Sequence, residues 1–156
     1  MKHQKTVTGW LLLAVILLLG GCAEESAYTL EDARALLDAG AFDSELAPLQ
    51  LPNSVIAAIY GIDEDTLTEF ASYHAANSAV SADEATVFIL TGEDAAQAAE
   101  AACRTYLGSQ IDTCRSYCPA AVPSLEADVV RRAGSTVLLA VGNPDRLAAA
   151  VDRLHP

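Results

Sequence analysis

The chain holds four cysteines, the side chains with the widest chemistry in it, and their surroundings divide them into two groups. Cys22 closes Leu19-Gly20-Gly21-Cys22, which follows an apolar run from Trp10 to Leu19 and the positive residues Lys2 and Lys5. That is the order of a secretory signal ending in a lipobox. The chemistry it predicts is attachment of a diacylglyceryl group to the Cys22 sulfur, with cleavage behind Gly21 and fatty acylation of palmitate type. The apolar run is about half of the roughly 20 residues that a spanning helix needs, so a transmembrane helix is the weaker reading.

Cys103, Cys114 and Cys118 form the second group, and an odd number leaves at least one without a partner in the same molecule. On a continuous helix Cys103 and Cys114 share a face but stand about 16 Å apart, beyond disulfide reach unless Gly108 breaks the helix. Cys114 and Cys118 are one turn apart, a spacing that suits two metal ligands or a redox pair. Zinc usually takes four nitrogen or sulfur donors, however, and only His74 and His155 remain downstream to complete a set. The expectation is buried or helix-face thiols with no metal and no cofactor, and an exported thiol protein working through Cys114 and Cys118 is the alternative.

The carboxylates and His74 receive structural readings. Asp63-Glu64-Asp65 lacks the alternating acids and the glycine of a calcium loop and reads as the solvated start of an element. Asp83 and Glu84 are adjacent, so in a strand they point to opposite faces and do not share a substrate; capping or turn formation is expected. A nucleophile-base pair would need His74, yet no Gly-x-Ser-x-Gly elbow accompanies it. A hydrolase therefore ranks last.

The elements that position these residues are legible in part. Thr29 caps a helix with Glu31 and Asp32 in its first turn, Leu30, Ala33, Leu36 and Leu37 facing inward, and Gly40 as its stop. Pro52 opens a second helix with Val55, Ile56, Ile59 and Tyr60 inward and Gly61 at its end. Between Asp63 and Asn77 periodicity allows helix or strand. Ala85 to Thr91 is a central strand, and Gly92-Glu93-Asp94 opens a long helix with Ala95, Ala98, Ala99, Ala102 and Tyr106 on one face, kinked at Gly108. Pro119 and Pro123 end it, Leu125, Ala127 and Val129 alternate as a strand, and Ala133-Gly134-Ser135 turns into a second strong strand over Thr136 to Val141. Asn143-Pro144 opens a closing helix with Leu147, Val151 and Leu154 inward.

Leu51-Pro52, Tyr60-Gly61-Ile62-Asp63 and Ser81-Ala82-Asp83-Glu84-Ala85-Thr86-Val87-Phe88, in that order, resemble the bacterial lipoprotein family known as domain of unknown function 4358. The resemblance covers about residues 46–154. It implies that Leu67 to His74 is a strand hairpinned to Ala85 to Thr91, within an α+β fold of four antiparallel strands with helices on one side. It also implies a surface lipoprotein of a Gram-positive bacterium and carries no activity. The three downstream cysteines and the absence of lysine beyond Lys5 depart from the family pattern.

The expected organisation is a signal peptide over 1–21, a polar tether over 22–28 and one domain over 29–156. Cleavage leaves about 135 residues, the size of one domain. Both lysines leave with the signal, so no lysine remains for a P-loop, a Schiff base or general-base work. A mature charge of about −14 opposes phosphate backbones and anionic lipid, so nucleic acid is excluded as a partner and the membrane is reached through the lipid alone. The reading is a non-enzymatic module on the extracytoplasmic face of the cell membrane, binding another envelope protein.

Overall fold

The computed structural model describes residues 27–77 and 80–154; the expected signal peptide, Cys22 and His155 lie outside them. In chain order the elements are α1 (Leu30–Asp38), β1 (Leu46–Pro48), α2 (Asn53–Tyr60), β2 (Leu67–Ala75), β3 (Glu84–Leu90), α3 (Glu93–Tyr117), α4 (Val122–Glu126), β4 (Val129–Ala133), β5 (Thr136–Val141) and α5 (Leu147–Asp152). The fold is α+β, and all neighbouring strands pair antiparallel in the order β1-β2-β3-β5-β4. The sheet has five strands rather than four. The extra one, β1, is three residues long and ends at Pro48, a length too short to show alternation and a residue suited to an edge.

Helices cover both faces of the sheet rather than one. The sequence of β3 and β5 explains this, since nearly every residue of β3 and all of β5 are buried, and such strands need cover on both sides. On one face Phe88, Leu90, Val137, Leu139 and Val141 pack with α2 and α3. On the other, Ala85, Val87, Leu138 and Ala140 pack with Leu36 of α1 and Leu147 and Val151 of α5. Tyr28, at the end of the expected tether, is only 4% exposed and belongs to this second layer. Its backbone N–H donates to Thr136 Oγ1 at 2.8 Å, tying the chain entry to the turn between β4 and β5.

Several local expectations shift. Thr29 caps α1 in a reciprocal arrangement with Asp32, as expected. In α2 the buried residues are Ile56, Ala57 and Tyr60, whereas Val55 and Ile59 are more than 40% exposed, so the helix is rotated from the expected face. Gly61 ends it at φ 71°, a left-handed conformation that glycine adopts without steric cost. In α3 the buried stripe is Ala96, Ala99, Cys103, Leu107 and Cys114; Ala98 is exposed, and Ala95, Ala102 and Tyr106 flank the stripe. The helix runs through Gly108 unbroken for 25 residues, its packing on the sheet outweighing one glycine.

Leu125 belongs to a helix and not to a strand. The long helix does end ahead of Pro119, at Tyr117, as expected, but Pro119 and Pro123 also each sit in the first turn of a further short helical segment, where the missing N–H costs nothing. The strand begins only at Val129. The hairpin through Gly134 is as expected, and α5 begins at Leu147, later than Asn143-Pro144 suggests, because Asn143 and its neighbours form a turn first.

Ala41 and Gly142 meet where the chain leaves α1 and where it leaves β5. A Cβ on Gly142 would lie 2.8 Å from the Ala41 carbonyl oxygen and 2.8 Å from Phe42 Cδ1. The obstacle includes backbone, so it cannot simply rotate away. Gly142→Ala is expected to lower stability by about 1–3 kcal/mol, as overpacking does. Urea denaturation followed by circular dichroism checks this, and an unchanged midpoint would contradict the close approach.

Candidate functional site

β2 and β3 place side chains of alternate residues on one face, and their register sets Phe70 opposite Phe88, Ser72 opposite Thr86 and His74 opposite Glu84. The face that packs against α2 and α3 is therefore apolar at one end and polar at the other. Tyr60 bridges the two ends. Its ring packs on Phe88 with centroids 4.9 Å apart and on Tyr106 of α3 at 4.7 Å, while its hydroxyl reaches the polar end. Tyr60 is in place because it lies one turn after Ile56 on the buried side of α2 and next to the left-handed stop at Gly61.

Glu84 is the centre of the polar group and is 3% exposed. Its Oε1 accepts from the Tyr60 hydroxyl at 2.5 Å and from Thr86 Oγ1 at 2.9 Å. Its Oε2 has one long contact, 3.4 Å from the Tyr106 hydroxyl. Ser72 Oγ stands 2.7 Å from Thr86 Oγ1 and 2.9 Å from His74 Nε2, and Nε2 is also 3.1 Å from the Tyr60 oxygen. Burial raises the Glu84 carboxyl above its ordinary value, against the opposing pull of His74 and of the hydroxyls of Tyr60, Thr86 and Tyr106. The Tyr60 and Tyr106 hydroxyls are in turn raised by burial and by Glu84, so both stay protonated donors.

Counting protons fixes the direction of this network when Glu84 is ionised. Tyr60 and Thr86 each spend their single hydroxyl proton on Oε1, so Ser72 must donate to Thr86. His74 must then carry its proton on Nε2 and donate to Ser72. An imidazole in that state is no base toward Ser72. Glu84 also approaches the same Nε2, at 3.9 Å, whereas a catalytic carboxylate orients the ring through the other nitrogen. Ser72 is itself 3% exposed. His74 is thus brought to a serine and a carboxylate without acquiring the geometry of a triad.

Asp83 does turn away from Glu84, as adjacent strand residues should. Its Oδ2 accepts from the backbone N–H groups of Asp43 and Ser44 at 3.0 and 2.9 Å and holds the segment that leads into β1. Asp63 accepts from Asp65 N–H at the start of a short 3₁₀ turn over Glu64–Thr66, a local structural use.

Cys114 and Cys118 are joined in a disulfide, with Cα atoms 4.4 Å apart, which corrects the expectation of free thiols at these two positions. The helix ends there, and the departure of Cys118 from helical geometry at φ −145° is what turns its sulfur toward Cys114. Sulfurs bonded to each other are not thiolate ligands in this state, and among the described residues no group of three or more histidine, cysteine or acidic side chains converges on one point. Cys103 is a buried free thiol pushed up to about 12, by burial first and then by Glu84 and Glu100, so it is inert near neutrality.

A cavity of about 100 Å³ opens beside this cluster. Its lining includes His74, Glu84 and Tyr106 together with Leu107, Leu125 and the Cys114–Cys118 disulfide, and Asp83 also lines it although its carboxylate is taken up by the Asp43 and Ser44 N–H groups. Sequence reasoning named His74, Glu84 and the cysteines separately and missed Tyr60, Ser72, Thr86 and Tyr106 as their partners. The available signal was Ser72-x-His74 and Glu84-x-Thr86, polar residues at a period of two within otherwise apolar strands.

Two outcomes follow from this geometry. A carboxyl raised in the folded state holds a proton that the unfolded chain releases, so its contribution is greatest below the ordinary value of 4.5 and is lost as pH climbs from there through the folded value. The stability of the wild type relative to Glu84→Gln should therefore fall as pH rises above 4.5. Urea midpoints across that range test it, and a flat difference would contradict it. The disulfide closes a short loop, so replacing both Cys114 and Cys118 by serine should cost about 2 kcal/mol and leave the fold intact. Thiol titration of the unfolded, unreduced protein should find Cys103 alone among Cys103, Cys114 and Cys118; detection of the other two as thiols would contradict the bond.

No curated protein and no solved structure matches the chain. One family does match, described as "Domain of unknown function (DUF4358)", over residues 41–142. That stretch runs from one side of the Ala41–Gly142 contact to the other and contains all five strands and the whole Glu84 cluster. The match extends over well more than half of the sequence, and the chain belongs to this family.

Proposed function

We propose that the protein is a lipid-anchored, non-catalytic binding module on the extracytoplasmic face of a Gram-positive cell membrane, an accessory to another envelope component. Anchoring rests on Leu19-Gly20-Gly21-Cys22 behind the apolar run and the two lysines. The observation that carries the binding role is the cavity beside Glu84. Polar groups converge there as they do in a ligand site, yet with Glu84 ionised the proton order makes His74 a donor to Ser72 rather than a base toward it. Two acyl chains on Cys22 would hold the domain stably where one would be marginal.

Cys22→Ala should release the protein from the membrane. Detergent-phase partitioning of wild type and variant, together with metabolic labelling by palmitate, tests the anchor. Equal membrane retention of the two would overturn it, and crosslinking from intact cells identifies the envelope component.

A further inference from the structure

We propose that the cavity beside Glu84 binds a small aliphatic primary amine in its ammonium form. The inference deepens the binding-module reading and rests on it. Glu84 Oε1 is saturated by two hydroxyl contacts, but among the described residues Oε2 has only the 3.4 Å contact from Tyr106, and both Glu84 and Tyr106 line the cavity. A carboxylate 3% exposed, on a residue that lines a cavity and with lone pairs unfilled on one oxygen, is an acceptor awaiting a donor. The charge it lacks on that side is positive. His74, the one imidazole nearby, stands 3.9 Å from Oε1 and not from Oε2.

The rest of the wall selects among cations. Leu107, Leu125, Ala121 and the disulfide offer a surface for a hydrocarbon stem, and no arginine is among the lining residues described, so an anionic group would meet Glu84 with nothing to offset it. Gln110, also among the lining residues, carries an amide oxygen of the kind that accepts from an ammonium N–H. Size sets the limit. A dry cavity of about 150 Å³ takes benzene, so about 100 Å³ admits roughly four non-hydrogen atoms. Propylammonium has that size and pairs one ammonium with a three-carbon stem.

The test uses the full chain in non-ionic detergent and ligand-observed NMR titration with n-propylammonium, propan-1-ol and propionate as probes. Propylammonium should bind with a dissociation constant of about 1 mM, the range open to so small a ligand, and propan-1-ol, of the same shape without charge, about tenfold more weakly. Propionate should not bind. Glu84→Gln should weaken propylammonium about tenfold, the loss expected when a charged hydrogen-bond partner becomes neutral. Should that variant fail to fold, Ala121→Leu, which adds bulk at another lining residue and leaves Glu84 in place, should abolish binding of the probe.

Equal binding of propan-1-ol and propylammonium would overturn the ammonium assignment while preserving a binding cavity. Failure of all three probes to bind would overturn the cavity as a site for small ligands and leave the anchoring experiment unaffected. Unchanged affinity in a folded Glu84→Gln protein would place any bound amine elsewhere and would likewise overturn the proposal.

Discussion

A carboxyl group buried in the face of a sheet has to be solvated by the protein itself, and that constraint organises the polar half of this domain. Removing a carboxylate from water costs several kcal/mol unless hydrogen bonds replace its hydration. At Glu84 the replacements come from three elements: Thr86 on its own strand, Tyr60 at the end of α2, and Tyr106 from α3. Each requires its element at a defined place. α2 must stop at Gly61 with Tyr60 turned inward, and α3 must run straight enough to bring Tyr106 over the strand. The antiparallel register of β2 and β3 then adds Ser72 and His74 as the outer ring of donors. Loss of the Tyr60 hydroxyl would leave Oε1 with the Thr86 donor alone inside the protein, so the site and the packing of α2 are one construction rather than two.

On the opposite side the buried carboxyl, Asp83, sits just ahead of β3 and is met by the backbone N–H groups of Asp43 and Ser44, and the rest of that face is apolar. Ala85, Val87, Leu138 and Ala140 meet α1 and α5 through apolar contacts, with Tyr28 joining them from the chain entry. The family match, from Ala41 to Gly142, follows this division in part. The matched stretch holds the complete sheet and the Glu84 face, while α1 and α5, which cover the apolar face, lie outside it. On this face β3 and β5 present Ala85, Val87, Leu138 and Ala140, an apolar surface that needs cover, and the flanking helices α1 and α5 complete the core.

The sequence made the fold legible where periodicity and punctuation agree. β3, β5, the hairpin turn at Gly134 and the caps at Thr29 and Gly61 follow from apolar runs, turn residues and capping chemistry. It misled where one residue type has two positional meanings. Pro119 follows the end of α3 as expected, but Pro119 and Pro123 also start short helical segments, the second of which takes in Leu125 where alternation had suggested a strand. The alanine-rich α3 offers several near-equivalent faces, and the sheet beneath it chose the one through Ala96, Ala99 and Cys103. The candidate site was half visible. His74 and Glu84 are 10 residues apart in sequence and meet only through strand register, and Tyr60 and Tyr106 reach them only through tertiary packing.

The distribution of the arginines completes the electrostatic picture. Arg104 and Arg132 pair with Glu100, Arg115 with Asp112 and Glu126, Arg131 with Asp152, and Arg146 with Asp43, all at the surface. Exposed pairs of this kind contribute little to stability, up to about 1 kcal/mol each. Their placement has another consequence. These cations are held against surface acids, and Glu84, inside a protein whose formal charge is −12, faces the cavity without one. A low-dielectric wall of Leu107, Leu125 and the disulfide strengthens the field of that carboxylate at close range, whereas salt screens the surface pairs. The whole-domain charge therefore acts to concentrate small cations near the molecule, and Glu84 supplies the short-range attraction that selects among them by size and by the ability to donate hydrogen bonds.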